Sequence, residues 1–459
     1  MTAEDCRRPA RASVSRAEAR EDVAVVERIL RRGWAGFETR SAEGVNFVAA
    51  FADLARFIDG APEPIAVEAF QDRLVSALRV AADNHLAFFH FSAKGHARRK
   101  SVGRREQAYT ADVVVFPTHT VVPALAPKRA RLVECEGHGT AQQLAPTIVA
   151  GDVLALGSRP IVLAETAPPP LHCTFALEDG SVKALELPMR RVRVGGGGSR
   201  AKAVPAFELR EGAVPVVSVH TFWSGKEGEL AAFVASGAKL RDSKAIVVDV
   251  RGNGGGSDTY AKDWLAQLTD QKLVGAVVDR LDSDVTRQGI VNDNTCQIAE
   301  GLDDAAALRD ANERLAYGNR VVAEAETAGA PLRVWKTRSV VTEGRAPAPF
   351  RAPLVALVDN GCASACESFV SHARQLERSV VVGENSSGTG VFGEVLVYRL
   401  PKSGLGMSAG MKYFHDPDAR RAVPEGRGHL PDYWLDDEDA VGLAGRIAEC
   451  LAKPGCALR

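Results

Sequence analysis

Two stretches of this sequence combine residue types that could polarise and attack a carbonyl. The first is RGNGGG, residues 251–256, directly after the apolar run KAIVVDV. Its glycines let the backbone turn sharply and point N–H groups outward, where they can hold an oxyanion or a phosphate. A dinucleotide loop would need a glycine at the position of Ser257, and a P-loop would need a Gly-Lys-Ser/Thr ending. Neither is present, which leaves an oxyanion loop or a plain strand-to-helix turn. The second is VDNGCASACESF, residues 358–369. Small residues on both sides of Ser364 leave room for a substrate carbonyl. A helix starting there would offer free N–H groups and a positive dipole end to a developing negative charge. Ser364 therefore reads either as a nucleophile at an elbow or as an ordinary helix cap. Cys362 and Cys366 flank it, and a thiol nucleophile is the third reading.

The elements around these stretches must position them. Residues 17–82 carry apolar residues at three- and four-residue spacings and read as helical. Asp83-Asn84 ends the last of these runs, and LAFFHF follows as a strand. The basic residues between 98 and 105 read as a solvated loop. Residues 109–194 hold short β-like runs separated by Gly, Pro and Asp. Within them LAPTIVAGDVLALGSRPI resembles a segment of PDZ domains, with Gly151-Asp152 at the tight turn. GGGGS, residues 195–199, has linker composition. Beyond it strands alternate with helices: VPVVSVH, EGELAAFVASGAKLR, KAIVVDV, PLVALVD, a helix from about Ala363, and SVVVGE. That alternation predicts an α/β layer built largely on parallel pairing. Residues 258–272 and 296–326 read as helices.

Composition narrows the function. The 459 residues carry 57 Lys+Arg against 58 Asp+Glu, a net charge of −1, without the basic surplus of nucleic-acid binders. Aromatics are 6%, too few for base-stacking platforms. No run of 18 apolar residues predicts a membrane span. The first residues, MTAEDCRRPARASVSRAEARED, have no apolar run and do not read as an intact signal peptide. None of the eight cysteines forms a C-x-x-C pair, which disfavours a zinc site. Cys450 and Cys456 bracket a Lys-Pro-Gly turn and are candidates for a small disulfide loop. A bridge between Cys362 and Cys366, four apart at a helix start, is expected to be strained.

The order of DVRGNGGG, VDNGCASACE, VVVGENSSGTG and EGRGHLPD resembles the serine peptidase family of C-terminal (tail-specific) processing proteases and the tricorn core protease. The resemblance covers residues 214–459. It implies an α/β, crotonase-like (ClpP/crotonase-type) core, here preceded by a helical N-terminal region and the PDZ-like β domain. Processing proteases use a Ser–Lys dyad, but Thr389 stands where their lysine would be, so the dyad is absent. The tricorn-like subtype implies a His and a Glu instead. His220, ending VPVVSVH, and Glu425 match those positions. Ser364 would then be the nucleophile, His220 the base and Glu425 the group that orients it. Ser218, two residues before His220 on the strand, would supply a supporting hydroxyl in place of Val219. Ala365, Gly254 and Gly255 N–H groups would hold the oxyanion. His429 is a nearby spare. His372 is expected to point away from Ser364, and His85 and His90 join no ligand set.

The expectation is a serine endopeptidase acting on unfolded polypeptides or short peptides through an acyl-enzyme. Its domains are a helical region 1–108, a PDZ-like β domain 109–194, a linker 195–204, and a peptidase core 205–459 with a helical insertion at about 257–345. No cofactor or metal is expected, no nucleic acid partner and no membrane span, while oligomerisation stays open. The resemblance implies periplasmic or secreted localisation, which eight cysteines permit; a cytoplasmic location is the alternative. The alternatives are an inactive relative binding a hydrophobic molecule or peptide, a crotonase-type acyl-thioester enzyme, and a scaffold acting through the β domain.

Overall fold

Apolar runs that a parallel sheet buries on both faces form the centre of the molecule. The computed structural model describes every residue except 93–94, 127–129, 137–143, 152, 196–203, 300–304, 330–332, 417, 419–420, 457 and 459. Most of the Gly-rich linker, and Asp152 of the PDZ-like turn, lie outside the described residues.

The strands Val216–Val219, Ile246–Asp249, Leu354–Val358, Ser379–Gly383 and Tyr433–Trp434 pair in parallel in that order. Phe207–Arg210 adds an antiparallel edge. Their alternation sorts the side chains. Ile246, Val248 and Val250 pack with Phe233, Trp264 and Phe369 from helices on one face. Val247, Val355 and Leu357 pack with Leu443, Ile447 and Leu451 of helix Ala440–Ala452 on the other. The expected parallel α/β layer is therefore present.

The β region between 109 and 194 folds as antiparallel strands around Val113, Leu171, Phe175 and Leu187. Its described residues include one 3-10 turn, Pro123–Leu125, and no α-helix. It also extends the central sheet: Leu144–Val149 meets Tyr433–Trp434 in parallel, and Thr147 Oγ1 donates to the Trp434 carbonyl at 2.7 Å.

A second, six-stranded sheet is built from three distant parts of the chain. Ala87–Ser92 and Gly95–Ser101 come from the N-terminal region, Leu273–Ser283 and Arg333–Thr342 from the insertion, Phe392–Arg399 and Gly406–His415 from the core. Helices Arg16–Gly33, Phe47–Gly60 and Val67–Leu78 pack against it through Leu30, Leu54, Phe70 and Leu74. The insertion thus differs from the expected helical segment. Helices Asp284–Ala299 and Ala305–Thr327 lie between two long antiparallel strands. Charges spaced along VVDRLDS and RVWKTRSVVT hide those strands from a reading based on apolar runs.

All eight cysteines pair: Cys6–Cys296, Cys135–Cys173, Cys362–Cys366 and Cys450–Cys456. The expected small loop at 450–456 is closed. Cys362 and Cys366, whose bridge was expected to be strained as a pair four apart at a helix start, are joined. They are not on one regular helix, because the chain leaves helical geometry at Ser364, and their Cα atoms come to 5.3 Å. No helix among the described residues is long and apolar enough to cross a membrane.

Candidate active site

The strand Leu354–Val358 delivers Ser364 to the C-terminal edge of the parallel sheet, where the chain turns into helix Ala365–Ala373. Ser364 has φ 57° and ψ −116°. A non-glycine residue in such a region costs on the order of 1–3 kcal/mol and persists only where its surroundings hold it. It is not the relaxed cap that a plain helix start would show. Its carbonyl accepts the N–H of Glu367 at 2.9 Å.

The glycine loop lies against this elbow. Ala363 N–H donates to the Asn253 carbonyl at 3.0 Å. Gly255 has φ 96°, and a Cβ there would sit 2.9 Å from Ser364 Cβ and 3.1 Å from Ala365 N. Only glycine fits that approach. Of the two loop amides expected to hold the oxyanion, Gly255 N–H is already taken by Asn253 Oδ1 at 2.9 Å. Gly254 faces open space. Its N–H and that of Ala365, the first amide of the helix, bond to no described residue. Gly254 and Ala365 are thus the amides left to meet an oxyanion.

Glu367 fastens the elbow from below. It is fully buried, and its carboxylate accepts four bonds. They come from Ser364 N (3.1 Å), Ser386 Oγ (2.6 Å), Gly388 N (2.7 Å) and Thr389 N (2.7 Å). Burial pushes its pKa up, against the pull of these donors. Thr389, at the position of the missing lysine, pairs its hydroxyl with Ser387 Oγ at 2.7 Å.

The same loop reaches Glu425. Gly388 turns its carbonyl to Gly426 N (2.8 Å) and Asn84 Nδ2 (3.0 Å). Its φ of 68° leaves no room for a side chain, since a Cβ would meet Gly426 N at 2.5 Å. Glu425 itself accepts Asn84 N–H at 2.8 Å and Val391 N–H at 3.3 Å. Its pKa is raised well above the carboxylate range, by burial first and by the neighbouring Asp83 charge second. Asp83 is fully buried and raised to about 6, chiefly by burial. It accepts Trp34 Nε1 and His85 N–H, both at 2.7 Å.

His85 completes this corner. Its ring is buried and lies within hydrogen-bonding reach of the Phe392 backbone, one residue from the N–H that Glu425 accepts. Its Nδ1 has no partner. Burial lowers its pKa to about 4, so the ring is neutral near pH 7. Sequence reasoning set His85 aside because no ligand set surrounded it. The readable signal was different: two polar, hydrogen-bonding residues, Asp83 and Asn84, directly ahead of a histidine and a buried strand.

His220 follows the strand Val216–Val219 beside the glycine loop, between Val219, whose carbonyl accepts Asn253 Nδ2 at 3.0 Å, and Phe222, whose N–H donates to the Gly255 carbonyl at 3.0 Å. The His220 N–H donates to the Ala206 carbonyl at 3.0 Å, and its Nδ1 is also buried without a partner. No hydrogen bond joins it to Glu425, Ser364 or Ser218. Ser218 is buried within its strand, in register with Glu208 and Asp249. His429 bridges two parts of the site without facing the elbow. Its Nε2 lies 2.9 Å from Ser371 Oγ and 3.2 Å from the Glu367 carbonyl, and burial lowers its pKa to about 4.

Residues 213–434 match the family model of peptidase family S41. Among solved structures the chain is similar to mature CPAF at 13% identity, over 95% of this chain and 97% of that one, with a TM-score of 0.51. CPAF complexed with lactacystin gives 14%, 96%, 99% and 0.51. The photosystem II D1 C-terminal processing protease gives 16% identity over 96% and 98%, with a TM-score of 0.39. At these identities the likeness to CPAF is one of fold. No curated protein matches the sequence. The S41 match spans the Ser364 elbow, the glycine loop and Glu425.

Proposed function

We propose that the chain is a serine endopeptidase of the tricorn-like kind, cleaving unfolded polypeptides or short peptides with Ser364 as nucleophile. The observation that carries this reading is the strained Ser364 elbow facing the two unpartnered amides of Gly254 and Ala365. Ser364 Oγ forms the bond to the substrate carbonyl carbon, and the carbonyl oxygen takes the negative charge. The two amides hold it; losing one such donor typically costs about 3–4 kcal/mol. The proton from Oγ passes to an imidazole and from there to the leaving amine as the C–N bond breaks. Water then releases the acyl group by the same route.

The imidazole is assigned to His85 rather than to His220. The Asn84–Glu425 bond puts the carboxylate beside His85, and a neutral ring with an unpartnered nitrogen is suited to take a proton. Glu425, once ionised, offsets the imidazolium charge. His220 stays the second reading, because its Nδ1 is likewise unpartnered and its strand leads to the glycine loop. Four disulfides support export to an oxidising compartment. An intact elbow disfavours the inactive-relative reading.

The test is labelling with a fluorophosphonate probe, followed by peptide mapping. Wild type should carry the adduct on Ser364, and Ser364→Ala should carry none. His85→Ala should lose the adduct while His220→Ala keeps it; the reverse pattern returns the base to His220. An unlabelled wild type overturns the serine reading.

A further inference from the structure

We propose that the Cys362–Cys366 disulfide is a positioning element of the nucleophile. It prevents the helix from growing back through Ser364, and so keeps the hydroxyl at the elbow. This rests on the reading of Ser364 as nucleophile. The bridge encloses Ala363, Ser364 and Ala365, and both of its cysteines are fully buried. In a regular helix, Cβ atoms four residues apart lie about 5–6 Å from each other. A disulfide needs them at about 3.8 Å. The bridge and a continuous helix through 363–366 therefore exclude one another. Nothing in the residue types does the same. Alanine is the best helix former and serine an acceptable one, so with free thiols Ala363 and Ser364 are able to join the helix that starts at Ala365. That would relax the φ of 57° and swing Oγ away from the Gly254 and Ala365 amides.

Both ends of the bridge are anchored. Cys362 N–H donates to the Asp359 carbonyl at 3.0 Å, and its carbonyl accepts Ser387 N–H at 2.8 Å. Cys366 Sγ lies 3.7 Å from the Val250 carbonyl, at the end of the neighbouring strand. The crosslink thus ties the elbow to two fixed points, one in the Glu367-bound loop and one in the sheet. The other three disulfides join residues away from this turn.

The test compares wild type, Cys362→Ala/Cys366→Ala and Cys450→Ala/Cys456→Ala. The first double variant should acylate with the probe roughly 10- to 100-fold more slowly, the loss that a misplacement of about 1 Å produces. Its peptide KM should be unchanged, and it is the rate constant of labelling that should fall, since a smaller folded fraction lowers only the labelling amplitude. The second double variant should acylate like wild type. A second measurement covers failure of the first variant to fold. Native enzyme is treated with a graded amount of a dithiol, which delivers two electrons and two protons to a bridge and is itself oxidised to a disulfide. Differential alkylation then counts which pairs have opened. Loss of acylation should follow the opening of Cys362–Cys366 and reverse on reoxidation. Wild-type rates in an enzyme with that pair open or absent overturn the proposal alone. A wild type that never labels overturns the serine reading and the clamp with it.

Discussion

Asn84 donates its backbone N–H to Glu425 Oε1 at 2.8 Å, joining residues 341 positions apart. Asn84 lies between Asp83 and His85, so the bond brings the N-terminal region and the C-terminal loop to one corner. Glu425 Oε2 closes the corner by accepting Val391 N–H. Glu425→Gln keeps the size of the side chain but removes the charge. We expect kcat/KM to fall on the order of 10³–10⁴-fold, as for the acid of a Ser-His-Asp triad. Steady-state peptide hydrolysis measures it, and a near-wild-type value removes Glu425 from the mechanism.

Activity should have an acid limb set by carboxyl groups rather than by an unperturbed imidazole. Burial raises Asp83 to about 6, and burial together with the Asp83 charge raises Glu425 well above the usual carboxylate range. As pH falls through that region Glu425 takes a proton and can no longer offset an imidazolium, so kcat/KM falls. Asp83→Asn removes the neighbouring charge that raises Glu425. The limb should therefore move to lower pH in that variant. A pH–rate profile that does not move sinks the coupling.

Gly255 is the tightest point between the loop and the elbow. Gly255→Ala would place a methyl 2.9 Å from Ser364 Cβ at φ 96°. We expect folding stability to drop by about 1–3 kcal/mol and probe labelling of Ser364 to slow at least tenfold. Gly254→Ala meets open space and should leave the melting temperature within a degree or two of wild type. Thermal melts of the two variants separate crowding at the elbow from a general intolerance of the loop.

Glu367→Ala would strip the acceptor from four donors in a buried setting. Unsatisfied buried partners cost about 1–3 kcal/mol each, with partial relaxation. We expect a loss of roughly 3–5 kcal/mol in denaturant unfolding. A loss under 1 kcal/mol would mean that water or rearrangement replaces the carboxylate easily.

Cys6–Cys296 ties the N-terminal region to the insertion across a separation of 290 residues. Removing a crosslink over so long a loop releases roughly 5–6 kcal/mol of denatured-state entropy in the chain-entropy account. Cys6→Ala/Cys296→Ala should unfold at clearly lower denaturant. An unchanged midpoint would show that the unbridged chain is already held compact.

The parallel core was legible because its strands are short, apolar and β-branched, as in AIVVDV and PLVALVD, and each is followed by glycine or a helix. The Ser364 elbow was legible for the same reason, with a buried strand running into small residues. The second sheet was not. Its insertion strands carry Arg280 and Asp282, paired with each other inside the fold, and Lys336 and Arg338, and these charges interrupt the apolar pattern. His85 was missed because its partners come from other parts of the chain. Only folding brings Glu425, Val391 and Phe392 to the end of a helical region near residue 84. Glu367 was not singled out, since nothing local reveals that Ser386, Gly388 and Thr389 return to it.

The six-stranded sheet that draws on three parts of the chain also sets a schedule. Its strand Gly406–His415 pairs with Leu273–Ser283 and with Ala87–Ser92, and Glu425 follows it. A nascent chain still on the ribosome at residue 400 already contains Ser364 and His85, but neither the strand Gly406–His415 nor Glu425, so the six-stranded sheet together with the Asn84–Glu425 bond is complete only after residue 425 has emerged.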